Sequence, residues 1–129
     1  MKNNLFVKVL TLILLISFSN CSGDDDNVVY KNNSLTGDWH LSSYGGGFTG
    51  QYISYDNNDV LWNFDTIAHL VHIKSRKEYF GPVSGTYPYI IEHDKDAKVI
   101  YLNDSLRGLI YIDNDKLVIE NGLVAIFKR

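Results

Sequence analysis

The 129-residue chain contains a single cysteine and few basic residues. One cysteine cannot form a disulfide within the chain, so the folded part must be stabilised by its hydrophobic core alone. Twelve lysines and arginines stand against fifteen acidic residues, and the only basic cluster is formed by Lys74, Arg76 and Lys77. Because proteins that bind nucleic acid usually carry a basic stripe, we expect no nucleic acid among the partners of this chain.

Residues 1–20 contain the longest hydrophobic run. Lys2 precedes an apolar stretch from Leu5 to Ile16, and small polar residues follow it. This arrangement is typical of a secretory signal peptide. The run is shorter than the roughly twenty apolar residues that a membrane-spanning helix needs. We therefore predict that residues 1–20 form a signal peptide, helical before it is cleaved from the exported protein.

The segment Phe18-Ser19-Asn20-Cys21 resembles a bacterial lipobox, in which a signal peptidase cuts directly before a lipidated cysteine. The resemblance implies a lipoprotein whose first mature residue is Cys21, with diacylglycerol and palmitate-like chains on that residue. Each buried methylene contributes about 0.8 kcal/mol, so two or three chains would anchor the protein to membrane lipid permanently. The alternative is an ordinary secretory signal followed by a free thiol.

The acidic residues after this cysteine, Asp24, Asp25 and Asp26, resemble the export signal of Bacteroidetes lipoproteins. The resemblance implies an outer-membrane location with the domain exposed at the cell surface. The alternative is a flexible tether with no role in targeting. We assign residues 21–34 to the lipidated cysteine and this tether. Without residues 1–20, 109 residues with a net charge of −5 remain, enough for one small domain.

Residues 35–129 consist of short segments rich in Val, Ile, Tyr, Phe and Trp, separated by Gly, Asn and Asp. This spacing is typical of an all-β sandwich or barrel, and no segment has the length and period of a helix. Asn121-Gly122 predicts a tight hairpin with positive φ at both residues. Successive strands would leave exposed edges in an open sheet, so we predict a small up-and-down antiparallel β-barrel of about eight strands. The predicted strand segments are 39–44, 51–55, 59–65, 67–75, 85–93, 98–102, 109–112, 116–120 and 123–127.

The segment from Leu35 to Leu41, with Gly37 and Trp39, resembles the Gly-x-Trp opening of lipocalin-like domains in small Bacteroidetes lipoproteins. The order of the later aromatic segments, from Trp62-Asn63-Phe64 to Phe127-Lys128-Arg129, fits the same pattern, so the resemblance covers residues 35–129. It implies that Trp39 closes the floor of the barrel and that an arginine near the last strand packs across it.

Arg129 is the candidate for that arginine. Alternation along a strand puts Phe127 and Arg129 on one face, from which the guanidinium can reach the Trp39 indole. Such a contact contributes about 1 kcal/mol when it is partly desolvated. The alternative is an arginine that frays into water at the end of the strand.

No residue pattern indicates catalysis or metal binding. His69 and His72 are three residues apart on a predicted strand, so they point to opposite faces. Ser84 lacks the Gly-x-Ser-x-Gly spacing of a nucleophile elbow. We therefore expect a protein that is not an enzyme and that uses no cofactor or metal.

The many aromatic residues can form either a barrel core or a binding face. If Tyr87 and Tyr89 share one face with Ile91 and His93, a tyrosine hydroxyl at the barrel mouth can reach a ligand. We predict a module that binds a small apolar or amphipathic ligand. The alternative is a protein-interaction or protease-inhibitor-like barrel that binds an exported protein. A cavity of a few hundred cubic ångströms favours the first function, and a filled interior with an exposed apolar loop patch favours the second.

Overall fold

A computed structural model of the chain describes residues 34–129. The predictions for the signal peptide, Cys21 and the run from Asp24 to Asp26 lie outside these described residues. Within the described range there is no α-helix, and thus no helix that is long and apolar enough to cross a membrane.

Nine strands make up the described part. All nine predicted segments form strands, with shifts at their ends. A single 3₁₀ turn, Gly47–Thr49, separates the first two strands. In chain order the strands are β1 Gly37–Gly46, β2 Gln51–Ser54, β3 Val60–Asp65, β4 Leu70–Ser75, β5 Gly85–Asp94, β6 Ala97–Leu102, β7 Ser105–Asp113, β8 Lys116–Asn121 and β9 Leu123–Lys128.

Eight of these strands close into an antiparallel barrel. β1 is followed around the barrel by β3 to β9 in sequence order, and β9 pairs back with β1. β2 is an extra strand, which pairs with Ser43–Gly46 at the end of β1. The predicted up-and-down barrel of about eight strands is thus confirmed, and only β2 departs from the simple order.

The barrel interior is filled by side chains that alternate along the strands. On β3, Val60, Trp62 and Phe64 are buried, whereas Leu61 and Asn63 between them are partly exposed. An eight-stranded barrel is just wide enough for its own side chains to fill it. The largest fully buried side chains come from six of the nine strands: Trp39, Leu41, Val60, Phe64, Val71, Ile73, Ile100, Leu102, Leu117 and Phe127.

The barrel has two structurally different ends. At the end that we call the floor, β1 begins, β9 ends and three short turns join β3 to β4, β5 to β6 and β7 to β8. We call the opposite end the mouth. It contains the residues between β1 and β3 and the loop 76–84 between β4 and β5. The turns from β6 to β7 and from β8 to β9 also lie at the mouth.

Two local predictions need correction. β4 begins at Leu70 rather than at residue 67, because the Asp65 carboxylate accepts hydrogen bonds from the backbone N–H groups of Ile67 (3.0 Å) and Ala68 (2.9 Å). An aspartate that bonds the backbone in this way favours a turn over a strand. At the β8–β9 hairpin only Gly122 has positive φ, at 72°. Asn121 belongs to β8, so the turn is not the one predicted.

Candidate functional site

Trp39 lies at the floor of the barrel and is completely buried. Its Nε1–H donates a 2.8 Å hydrogen bond to the Leu35 carbonyl oxygen. The Arg129 guanidinium carbon lies 4.3 Å from the centre of the indole, and an Arg129 Nη atom donates to the Ser34 carbonyl oxygen. Gly37, two residues before Trp39, begins β1 with a φ of 107°. These contacts tie residues 34 and 35 and the end of β9 to the floor tryptophan.

Phe127 lies deeper in the barrel. It is 1% exposed, pairs with Leu41 across the β1–β9 ladder and lies 5.1 Å from the ring of Trp62. Phe127 therefore packs β9, the strand that ends just before Arg129, against the side chains at the centre of the barrel.

Tyr87 and Tyr89 both contact the core from β5, as alternation predicts, but they have different surroundings. Tyr89 is buried edge-on against Phe64, with ring centres 5.3 Å apart, and lies beside His69 in the β3–β4 turn at the floor. Burial, followed by the charge of Asp65, raises the pKa of Tyr89 above its ordinary value. The Tyr87 hydroxyl donates to the Val83 carbonyl oxygen at 2.8 Å. Their hydroxyls therefore do not meet at a common site.

A cavity of about 140 Å³ lies at the mouth, and we call it the mouth pocket. Its inner end is formed by Trp62 and Phe127, and neither Tyr87 nor Tyr89 lines it. Wider grooves, one of about 510 Å³, lie on the outside of the molecule as open depressions between surface side chains. The residues that line the mouth pocket are Tyr44, Trp62, Tyr79, Phe80, Gly81, Pro82, Leu106, Arg107, Ile119, Asn121, Leu123, Ala125 and Phe127.

The loop 76–84 closes one side of the mouth pocket through two aromatic residues. The Tyr79 hydroxyl donates to the Pro82 carbonyl oxygen at 2.7 Å and accepts the Trp62 indole N–H at 3.1 Å. Phe80 stacks on Tyr44 with ring centres 5.7 Å apart and a 21° angle between the rings. Phe80 remains 75% exposed, so it forms a rim that both the pocket and solvent contact.

Arg107 is the one charged residue among the described residues that line the pocket. Tyr101 pairs with Leu106 and Ile100 with Gly108, so Arg107 is the extra residue of a β-bulge in β7. Strict alternation from the buried residue Gly108 would point Arg107 away from the barrel interior. The bulge redirects the side chain, which lines the pocket with its Nε buried.

Gly108 makes this bulge possible. Its φ is 139°, a conformation that favours glycine. A Cβ at this position would lie 2.2 Å from the Glu120 carbonyl oxygen on β8. The close approach of the two backbones brings the Arg107 position next to Asn121 in the pocket wall.

The electrostatics of the pocket are set by Arg107 and Tyr79. Burial raises the pKa of Tyr79 to about 12, although the hydrogen bond from Trp62 and the positive charge of Arg107 act in the opposite direction. Tyr79 is therefore neutral at physiological pH and does not balance the arginine. Within residues 34–129 the buried Nε of Arg107 has no hydrogen-bond partner.

Comparison of the chain with protein-family models, with curated proteins and with solved structures finds no match. The site can therefore be interpreted only from its own geometry. In the described part of the chain, no three His, Cys, Asp or Glu side chains lie close enough together to hold a metal ion. The mouth pocket instead combines aromatic and aliphatic side chains with one guanidinium, one amide and two tyrosines, a composition suited to binding a small molecule.

Sequence reasoning missed Arg107, Tyr79 and Phe80. A glycine inside a strand often marks a bulge, but the predicted segment began at residue 109, so Gly108 fell outside it and the signal was missed. Tyr79 and Phe80 gave no comparable signal, because their positions depend on how loop 76–84 folds over the mouth.

Proposed function

We propose that the protein is an exported lipoprotein with a lipocalin-like barrel that binds a small apolar or amphipathic group in the mouth pocket. The observation that carries this proposal is the pocket itself, which lies at the mouth of the barrel and reaches Trp62 and Phe127. Its charged group, Arg107, and its amide, Asn121, are positioned on β7 and β8, and small-molecule sites generally fix their ligand with a few placed polar groups of this kind. We assign it no enzymatic activity.

The volume of the pocket limits the size of the bound group. An engineered cavity of about 150 Å³ in another protein holds one benzene molecule. The mouth pocket, at about 140 Å³, therefore accepts one ring or a short chain. A larger ligand would leave its remainder on the rim, against the exposed ring of Phe80.

Native mass spectrometry of the protein purified from its own cell envelope tests this function. We expect a small molecule bound to the parent protein and lost from Ala125→Leu, because Ala125 lines the pocket and a leucine there would fill it. Leu109→Asp, on the outer wall, is the matched control and should keep the molecule. A parent protein free of small molecules, or a molecule retained by Ala125→Leu, would contradict the proposed site.

The anchor part of the proposal rests on the sequence of residues 1–26. Cys21→Ala should move the protein from the membrane fraction to the soluble fraction of the cell, because acyl chains can no longer be attached. Replacing Asp24, Asp25 and Asp26 with alanine should leave the protein in the membrane but protect it from protease added to whole cells. If Cys21→Ala partitions like the parent, the lipid anchor is wrong. If the triple variant is digested like the parent, the acidic run is only a tether.

A protein-interaction barrel is the second candidate, because the outer wall exposes apolar side chains close together. We call Ile90, Leu106, Leu109 and Tyr111 the wall patch, and each is between 44% and 54% exposed. Leu106 lies where this patch meets the mouth, since it also lines the mouth pocket. Ile90 and Leu106 lie on either side of Tyr101, their common pairing partner on β6. Contiguous exposed apolar residues often mark binding surfaces. In the same mass-spectrometry experiment, a co-purifying protein lost from Leu109→Asp and kept by Ala125→Leu would favour this function.

A further inference from the structure

We propose that the mouth pocket binds a small amphipathic carboxylate, with the carboxylate on Arg107 and its apolar body against the aromatic walls. This inference rests on the proposed function and adds the chemical class of the ligand. It starts from a buried donor, the Arg107 Nε, that has no acceptor within residues 34–129. Buried polar groups in proteins are almost always hydrogen-bonded, and an unpaired one marks a place where a partner belongs.

The described part of the chain offers Arg107 no anion at this site. Among the residues of 34–129 that line the pocket there is no aspartate or glutamate. Tyr79 keeps its proton, since burial raises its pKa to about 12, and its hydroxyl already bonds to Pro82 and Trp62. The guanidinium therefore faces the pocket with its charge unbalanced by any neighbouring lining residue.

The number and shape of the donors favour a carboxylate over a phosphate. A guanidinium presents a planar fork that matches the two oxygens of a carboxylate. One arginine balances one negative charge, and no lysine or second arginine among the described residues lines the pocket to balance a phosphate dianion. Asn121 lies in the same wall and can donate a further hydrogen bond through its amide.

The rest of the lining selects the apolar body of the ligand. Tyr44, Phe80, Leu123 and Phe127 surround the space with aromatic and aliphatic side chains. About 140 Å³ suits a single ring or a short chain attached to the carboxylate. An arginine at a bulge beside an apolar cavity thus distinguishes an amphipathic acid from a purely apolar molecule of the same size.

Sodium benzoate and benzyl alcohol test this inference, because they share a ring and differ in charge. The two tryptophans report binding: the Trp62 indole lines the pocket, whereas the Trp39 indole lies at the floor. In ¹H–¹⁵N spectra, benzoate should shift the Trp62 indole signal and leave that of Trp39 in place. A charged hydrogen bond to Arg107 should make benzoate bind about ten- to a hundredfold more tightly than benzyl alcohol.

Arg107→Met should abolish this preference and bring benzoate to the affinity of benzyl alcohol. Arg107→Lys should keep part of the preference, since it retains the charge but loses the planar fork. Arg76→Met, which removes an exposed charge from the loop at the same end of the barrel, is the matched control and should bind like the parent. The melting temperature of free Arg107→Met should be equal to or above that of the parent, whereas an arginine with only a structural role would lower it.

Equal affinity for the two probes, or unchanged benzoate binding by Arg107→Met, would overturn the carboxylate inference and leave the pocket as a binding site. If neither probe shifts the Trp62 signal, the inference is overturned together with the proposed site. If Arg107→Met is unfolded, Arg107→Lys takes its place: a reduced preference for benzoate supports the inference, and a preference equal to that of the parent overturns it.

Discussion

Truncation of Trp39 tests whether the floor determines the stability of this barrel. Trp39 is 0% exposed, and its indole lies between the Leu35 carbonyl, which accepts its N–H, and the Arg129 guanidinium. Replacing a buried tryptophan by alanine typically costs about 3 to 5 kcal/mol. A domain of this size has a total stability of about 5 to 15 kcal/mol. We therefore expect Trp39→Ala to remove about a fifth of the stability or more.

Urea unfolding followed by circular dichroism measures this loss. With a slope of about 1 to 3 kcal/mol per molar urea, the midpoint of Trp39→Ala should fall by roughly 1 to 5 M. Trp39→Phe, which keeps a ring but loses the hydrogen bond to Leu35, should cost about 1 to 2 kcal/mol. Phe48→Ala is the control, because Phe48 is fully exposed in the mouth loops and should change stability by less than about 0.5 kcal/mol. A Trp39→Ala variant that unfolds at the midpoint of Phe48→Ala would refute the described floor.

Two further predictions concern the mouth. Gly108→Ala should destabilise the protein by about 2 to 4 kcal/mol in the same unfolding assay, because φ is 139° and the new Cβ would lie 2.2 Å from the Glu120 oxygen. Gly50→Ala, also at positive φ but with no atom within 4 Å of the new Cβ, should cost only about 1 kcal/mol. If the two variants lose the same stability, the close approach at the bulge is contradicted. The free energy of unfolding should be constant up to about pH 10, where a tyrosine in the unfolded chain begins to lose its proton. It should then fall as the pH rises toward 12, because Tyr79 keeps its proton in the folded state. The rise in the pKa of Tyr79 from 10 to about 12 corresponds to about 2.7 kcal/mol at full burial, which we reduce to about 1 to 1.5 kcal/mol because the side chain is partly exposed. If the stability of Tyr79→Phe falls as steeply with pH as that of the parent, this assignment is wrong.

The barrel could be predicted from the sequence because its strands obey local rules. Alternation of apolar and polar residues on β3, and turn residues between successive strands, specify both the strands and their order. Burial of Trp62 and Phe64 on the same face of that strand follows directly from this alternation. A closed barrel is then the arrangement that leaves the fewest edges unpaired.

The mouth pocket could not be predicted in the same way. The bulge at Arg107 breaks the alternation, so a strand pattern places this side chain on the wrong face. Loop 76–84 has no period at all, and its position over the pocket depends on two tertiary contacts, Tyr79 with Trp62 and Phe80 with Tyr44. Tyr87 and Tyr89, the residues that the sequence singled out, obey the alternation and for that reason contact the core.

The two arginines of the barrel ends allow a direct comparison between stabilising and ligand-binding roles. The Arg129 guanidinium lies 4.3 Å from the centre of the Trp39 ring and donates a hydrogen bond to the Ser34 carbonyl oxygen. Both contacts are within the protein and stabilise the fold. Arg107 has a buried Nε without a partner among residues 34–129, so its presence costs free energy in the absence of ligand. Arg129→Met should therefore lower stability by about 1 kcal/mol and leave benzoate binding unchanged. Arg107→Met should do the opposite, with stability equal or higher and the preference for benzoate lost. If both variants lose stability to the same extent and bind benzoate alike, the two ends do not divide these roles, and Arg107 is a structural residue.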